Sequence, residues 1–357
     1  MAHPFFDEIT FPFHLREAQE LEAVLILVYD NRDAITHLCD MCGLNRSELN
    51  IEQAPAPLWR EALKLFARQA RVKSLCERVG RSFQGTPRVV KAIQAVFDAE
   101  DPRKQVYAAD RMLVLNRKSL REKLSEFEVS DSPIRVLLVR GEAKSGKSHG
   151  RYLFFRIATS LGAQPIYLHR ARVSTVPVAV DTIFAALGLP NTAPPQGDST
   201  KVAWYQAICR EILRQTAHSG IRAWIAVDDL GLDANGQPLL DPDIKLFFDE
   251  FAAFMNTPQF QSRFWLLLIH YPDGEVPTHW EEGFWLEDRT STGDLTLDDV
   301  AEALREGIKR QGLVGLEDQI KADAEQVIRT ADTLAPSARL KGINTDVKNR
   351  LTNLTTP

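Results

Sequence analysis

Four cysteines in 357 residues are too few for the disulfide framework of a small secreted domain. The longest apolar runs, residues 23–29 and 264–269, are far too short for a helix that spans a bilayer. Positive charge is not in excess either. Against 43 Lys and Arg stand 48 Asp and Glu, a net charge of −5, which argues against nucleic acid or an anionic membrane as the main partner. The opening residues, Met-Ala-His-Pro-Phe-Phe-Asp-Glu, have neither the basic nor the apolar segment of an export signal. Internal repeats and low-complexity tracts are missing, so the tandem arrays that serve many proteins as sensors are not expected. What remains is 44% hydrophobic and 25% charged, with material for two or three domains, and the expected location is a reducing cytoplasm.

One stretch organises the rest. Residues 134–140, Ile-Arg-Val-Leu-Leu-Val-Arg, read as a buried strand. They run into Gly141, Glu142, Ala143, Lys144, Ser145, Gly146, Lys147 and Ser148, with His149 next and an apolar helix beyond. The match to G-x-x-x-x-G-K-[ST] between strand and helix is complete. Gly141 and Gly146 let the backbone curl so that successive N–H groups face phosphate oxygens at a helix N-terminus. Lys147 is placed to reach the β- and γ-phosphates, and the Ser148 hydroxyl to ligate Mg²⁺. The expected cofactors are therefore ATP and Mg²⁺, held by residues 141–149.

Beyond that loop, strand and helix alternate to about residue 290. About 80 residues on, Ile-Arg-Ala-Trp-Ile-Ala-Val over 221–227 forms a continuous apolar strand that ends in Asp228 and Asp229. This is a Walker B arrangement: Asp228 is expected to hold Mg²⁺, and Asp229, with Lys147, to serve catalysis by polarising the attacking water. Another strand, 263–269, ends in His270, where a polar side chain can sense a γ-phosphate. A short strand at 284–286 completes a parallel sheet with its ligand at the strand C-termini. The expected class is the P-loop ATPase with an extra strand between the P-loop and Walker B strands. Helices follow as a small lid, and residues 333–357 read as a polar, mobile tail. Arg117, in Leu-Val-Leu-Asn-Arg over 113–117 shortly before the P-loop, is similar to the adenine-proximal box of signal-transducing ATPases with numerous domains. Arg289 is the one candidate arginine finger.

The amino-terminal residues 18–82 read as several short helices in an antiparallel bundle. The runs Leu-Glu-Ala-Val-Leu-Ile-Leu-Val-Tyr at 21–29, Cys42-Gly43-Leu44 with Leu49 and Ile51, and Leu-Trp-Arg-Glu-Ala-Leu at 58–63 resemble the bacterial effector-associated domain. That family is a death-fold-like adaptor, and the resemblance implies docking onto a matching domain fused to an effector. Charge is split along this segment. Residues 1–53 hold ten acidic and three basic side chains, and residues 54–81 hold two acidic and seven basic ones. Faces of opposite sign could stack head to tail if the early and late helices lie apart. Cys39-x-x-Cys42 lacks the second pair that a zinc site requires, and so reads as two buried small hydrophobes.

The expected organisation is thus an effector-associated bundle over 1–84, a helical connector over 85–130, the ATPase over 131–290, and a helical lid with a mobile tail over 291–357. The leading function is an ATP-dependent signalling switch that hydrolyses slowly and recruits an effector, in bacterial defence signalling. Nucleotide-dependent homo-oligomers are expected; membrane and nucleic-acid partners are not. Slow turnover is expected because Asp229 stands where fast ATPases often place Glu. The rivals are a remodelling or DNA-associated AAA-type ATPase, which would want basic patches interleaved with aromatics, and a small-molecule kinase, which would need a base in its own substrate pocket.

Overall fold

In the computed structural model of the chain, the described residues are 5–6, 9–106, 113–115, 117–127, 132–217, 219–233, 235–257, 263–274, 276–310 and 316–353. The chain clusters into two compact units, Met1–Val106 with Leu304–Ile320 and Leu351–Pro357, and Tyr107–Ala303 with Lys321–Arg350.

Within residues 1–106 of the first unit lie α1 (Arg16–Val28), α2 (Arg32–Met41), α3 (Pro55–Arg68), α4 (Val72–Ser82) and α5 (Pro87–Glu100). Asn31 caps α2 through its side chain, which accepts from Ala34 N, and Pro55 and Pro87 open α3 and α5, where a missing N–H costs nothing. Gly43 turns the chain after α2 with φ +70°. The core takes Leu21 and Leu25 from α1, Leu58, Trp59 and Phe66 from α3, and Val72, Leu75 and Val79 from α4, with Cys39 and Cys42 buried among them. It also takes Val89, Ala92, Ile93 and Val96, so the helix assigned from sequence to the connector packs inside the bundle. Phe5 N donates to the Glu100 carboxylate at 2.6 Å, fastening the chain's start to the end of α5.

The charge split does not resolve into two separate faces. Arg60 Nε lies 3.5 Å from Glu22 Oε1, and Arg68 Nη2 lies 3.2 Å from Glu48 Oε2. Late basic residues therefore meet early acidic ones on the bundle's surface. Apolar packing of α1 against α3 decides this neighbourhood, and a tally of charge along the chain does not register it.

In the second unit, α6 (Lys118–Phe127) precedes β1 (Val136–Gly141). Then come α7 (Gly150–Ser160), β2 (Gln164–Leu168), α8 (Val176–Ala186), α9 (Lys201–Thr216), β3 (Ala223–Val227), α10 (Pro242–Met255), β4 (Phe264–Ile269) and β5 (Trp285–Thr290). All pairings are parallel and the order is β2-β3-β4-β1-β5. β4 is thus the extra strand between the P-loop strand and the Walker B strand, as expected. β5 is longer than the sequence suggested: Glu287 to Thr290 stay in register with Leu138 to Gly141, because buried Asp288 and Thr290 find partners inside the fold.

Side chains alternate across the sheet. Val136, Leu138, Ile225 and Leu266 join the core under α8, α9 and α10. Leu137, Val139, Trp224 and Leu267 join the one under α6 and α7. α11 (Leu297–Arg310), α12 (Glu317–Asp332) and α13 (Pro336–Asn353) follow. The mobile tail expected from residue 333 onward is therefore corrected through residue 353; residues 354–357 lie outside the described residues. Its polar composition hides a sparse helical stripe, in which Ile343 and Val347 are fully buried. Gly342 lets α13 fold close over the turn after α12, since a Cβ there would sit 2.5 Å from Leu334 Cδ1. Among the described residues no helix is long and apolar enough to cross a membrane.

Candidate functional site

The loop after β1 is held open by its own side chains. Gly141 has φ +117°, and a Cβ on it would lie 2.0 Å from the Thr290 carbonyl oxygen, so only glycine lets β5 pass at this point. Gly146, with φ +83°, starts the single 3-10 turn Lys147–His149 that leads into α7. Lys147 is buried. Its Nζ donates to the Gly141 carbonyl at 2.8 Å and to the Glu142 carbonyl, spanning the loop. Burial lowers the Lys147 pKa, while Asp228, Asp273 and Glu142 work against that. The Ser145 hydroxyl donates to the Glu142 carbonyl and pairs with Thr290 Oγ1.

Asp228 is the centre of the polar network. It lies at the end of β3, 2% exposed. One of its oxygens accepts from Ser148 Oγ at 3.1 Å and from Asp229 N at 2.9 Å, and lies 3.0 Å from His270 Nδ1. The other accepts from the Tyr167 hydroxyl at 2.9 Å. Burial by itself would raise the Asp228 pKa; the hydrogen bonds from His270 and Ser148 outweigh it and hold the group at about 2. Asp229 and His270 both have left-handed backbones, φ 63° and 59°, which non-glycine residues adopt at a cost and which cluster at working sites. Asp229 Oδ2 lies 3.3 Å from His169 Nε2 and 3.4 Å from Arg170 Nε. Asp228, Asp229 and His270 offer three ligand atoms within 4.8 Å of one another; the two carboxylates suit a hard cation such as Mg²⁺, whereas an imidazole suits softer transition metals.

The depressed pKa of Asp228 has a stability consequence. Its contribution is fully present above the ordinary carboxylate value of 3.8 and is lost as pH falls through the folded value of about 2, worth about 2 kcal/mol. Urea midpoints measured between pH 5 and pH 2 are expected to fall less steeply in Asp228→Asn than in the wild type. Parallel curves would mean that this carboxylate has no special folded-state partner.

A cavity of about 540 Å³ opens beside the loop. Lys144, Ser145, Gly146, Lys147, Ser148 and His149 line it, together with Arg117 and His270. Gly141, Glu142 and Ala143 are not part of the lining. The Glu142 carboxylate turns away to accept from Thr292 N and Thr292 Oγ1, both at 2.8 Å, and those bonds lower its pKa. Arg117 is not a solvated linker residue. It is buried, donates from Nη2 to Asp288 Oδ2 at 2.5 Å, and reaches the Gly146 carbonyl at 3.5 Å. Leu113, Val114 and Leu115 also line the cavity; Asn116 of that segment lies outside the described residues. Arg289 stays away from the lining, half-exposed and paired with Glu287 and, at 3.0 Å, with Asp273.

Several participants were not legible in the sequence. Tyr167, His169 and Arg170 come from the end of β2, where a strand-end polar residue could have been flagged but its target could not. α13 supplies Leu340, Asn344 and Lys348 to the cavity wall. Arg339 anchors this helix by donating to the Thr292 carbonyl at 3.1 Å and to Asp332 at 2.8 Å.

Strand order and loop together give the second unit a parallel α/β fold with a glycine-rich loop between β1 and α7 and an added strand, β4, between β1 and β3. No family model and no curated protein matches the sequence. Among solved structures, the chain is similar to Cdc6p from Pyrobaculum aerophilum, with TM-score 0.40 and 17% identity, over 68% of this chain and 62% of that one. The chain thus spans less than two thirds of that Cdc6p structure. It is similar also to the ORC2 protein of Aeropyrum pernix in its ADP form, with TM-score 0.44, 11% identity, and 70% and 71% of the two chains covered. The assignment of the fold rests on the strand order and the loop, not on these likenesses.

Proposed function

We propose that this protein is an ATP-operated switch: it binds ATP with Mg²⁺ at the P-loop, hydrolyses it slowly, and docks an effector protein through its N-terminal bundle. The observation that carries the nucleotide half is the 3.1 Å bond between Ser148 Oγ and Asp228 Oδ1. It brings the loop hydroxyl and the strand-end carboxylate to one point, and these are the two groups that would hold Mg²⁺ there. When bound, Mg²⁺ supplies positive charge against the phosphate oxygens. The chain's own residues do the rest. Backbone N–H groups of the loop and Lys147 bind and orient the phosphates, and Asp229 is placed to hold the attacking water and accept its proton. The contacts of Asp229 with His169 and Arg170 favour slow turnover, because they compete for the oxygen that would take that proton. Isothermal titration with ATP, with and without Mg²⁺, tests this half: absence of Mg²⁺-dependent binding refutes it.

The effector half rests on the resemblance of residues 21–63 to effector-associated adaptor domains. Exposed ion pairs contribute about 0–1 kcal/mol each, so a single charged contact is weak, and several contacts made at once gain through effective concentration. Capture of a partner carrying a matching helical bundle by the full chain is expected to require ATP and Mg²⁺ and to weaken at high salt. Arg68 already pairs with Glu48, so the informative reversals are Lys64→Glu and Arg71→Glu, on exposed positions of the bundle. Both together are expected to abolish capture in a pull-down while leaving the melting curve unchanged. Capture that survives the reversals and high salt would show an apolar docking face. Retention of DNA by the ATP-bound chain, with no protein partner captured, would instead favour the DNA-associated alternative.

A further inference from the structure

We propose that Tyr167 is a positioning residue for the metal: its hydroxyl holds one oxygen of Asp228 so that the other keeps facing Ser148, and Arg151 ties Tyr167 to the backbone of Ser148. This rests on the reading above that Ser148 and Asp228 hold Mg²⁺ with ATP. A carboxylate turns readily about its last bond, so its orientation as a ligand is defined only when both oxygens are held. Asp228 Oδ1 meets Ser148 Oγ at 3.1 Å and His270 Nδ1 at 3.0 Å. Ser148 and His270 lie in the cavity wall, where an incoming cation would take over their contacts with that oxygen. Two holds lie behind the wall: Asp229 N donates to Oδ1 and the Tyr167 hydroxyl to Oδ2, both at 2.9 Å.

Tyr167 is in turn held. It stands half-buried on β2, in register with Ala226 of β3. The Asp228 N–H donates to the neighbouring Leu168 carbonyl at 2.9 Å, so the backbones that carry donor and acceptor are fixed to each other. Burial raises the Tyr167 pKa and the Asp228 charge adds to that, so the hydroxyl stays a donor. The Arg151 guanidinium, on α7, lies over the Tyr167 ring, 4.6 Å from its centre, and over the Tyr152 ring at 4.3 Å. Its Nη1 donates to the Ser148 carbonyl at 2.6 Å and its Nη2 to the Tyr152 hydroxyl at 2.8 Å. One cation thus joins the backbone of the loop serine to the ring that holds the carboxylate. Contacts of this outer kind set the orientation of metal ligands, and removing one costs about tenfold to a hundredfold in metal affinity.

The test is calorimetric titration of the full chain with ATP, once in EDTA and once in excess Mg²⁺, for the wild type and Tyr167→Phe. Phenylalanine keeps the ring under Arg151 and removes the hydroxyl alone. ATP affinity in EDTA is expected to be unchanged, whereas the gain in affinity on adding Mg²⁺ is expected to shrink by about tenfold. Arg151→Met, which cuts the tie to the Ser148 carbonyl, is expected to reduce the same gain by less, and it decides the matter should Tyr167→Phe fail to fold. A wild-type gain from Mg²⁺ in folded Tyr167→Phe overturns the proposal. So does a loss of ATP affinity that is equal with and without Mg²⁺, because the hydroxyl then supports the fold of the site and not the metal. A full gain in Arg151→Met overturns the role given to Arg151. If the wild type itself binds ATP no better with Mg²⁺, the underlying metal reading fails, and this one with it.

Discussion

Replacing Asp229 with Asn is expected to leave ATP affinity close to wild type and to lower ATP turnover by about a hundredfold or more, the contribution of a positioned general base. The expectation follows from where Asp229 stands. It follows Asp228 at the end of β3, its backbone is in the left-handed region, and its N–H donates to Asp228 Oδ1 at 2.9 Å. Asn keeps that backbone contact and the side-chain shape but cannot take a proton from water. Asp228→Asn is expected to behave differently. It loses a charge that accepts from Ser148 and Tyr167, so the Mg²⁺-dependent part of ATP binding weakens. Single-turnover hydrolysis and calorimetry on the two variants separate the roles. Wild-type turnover in Asp229→Asn would remove it as the base and shift attention to His270, whose ring nitrogen is 3.9 Å from the same carboxylate.

Lys147→Ala is expected to weaken ATP binding about tenfold to a hundredfold, since a charge-assisted hydrogen bond is worth about 1.5–3 kcal/mol. The lysine is buried and spans the loop to the carbonyls of Gly141 and Glu142. Alanine also takes this donor from the Gly141 carbonyl, while the Glu142 carbonyl keeps the Ser145 hydroxyl, and a melting curve must accompany the titration. A folded Lys147→Ala protein that binds ATP with wild-type affinity would remove the P-loop as the nucleotide site. Lys147 would act on the phosphates, so its loss should weaken ATP and GTP alike.

The P-loop and the Walker B strand were plain in the sequence because each is a run of consecutive residues whose chemistry depends on local backbone. Gly141 and Gly146 mark the positions that need positive φ, and an uninterrupted apolar run marks a strand buried on both faces. The extra strand was legible for the same reason, 264–269 being apolar throughout. Ends were less clear. β5 was cut short at residue 286 because Glu287, Asp288 and Arg289 look like a charged loop, yet the Asp288 carboxylate is neutralised by Arg117, 171 positions earlier. The tail was read as mobile because α13 carries few apolar residues, and its helix is held by Arg339 reaching the 292–295 loop and by close approach of Gly342 to Leu334 in the turn before it.

By itself, then, the sequence determined that this chain has a glycine-rich loop between a strand and a helix, a carboxylate pair at the end of a buried strand, and a helical bundle ahead of them. Each is a local pattern, set by backbone sterics and by the alternation or run of apolar side chains. Only the tertiary structure decided that His169 and Arg170 face Asp229, that Tyr167 and His270 share Asp228, and that Glu22 meets Arg60 instead of presenting an open acidic face. It also brought α13, with Leu340 and Lys348, to the wall of the cavity beside the loop. These are meetings between residues far apart along the chain. They depend on how sheet and helices stack to bury their apolar faces, and hydrophobic periodicity says which face of an element is buried but not what it is buried against.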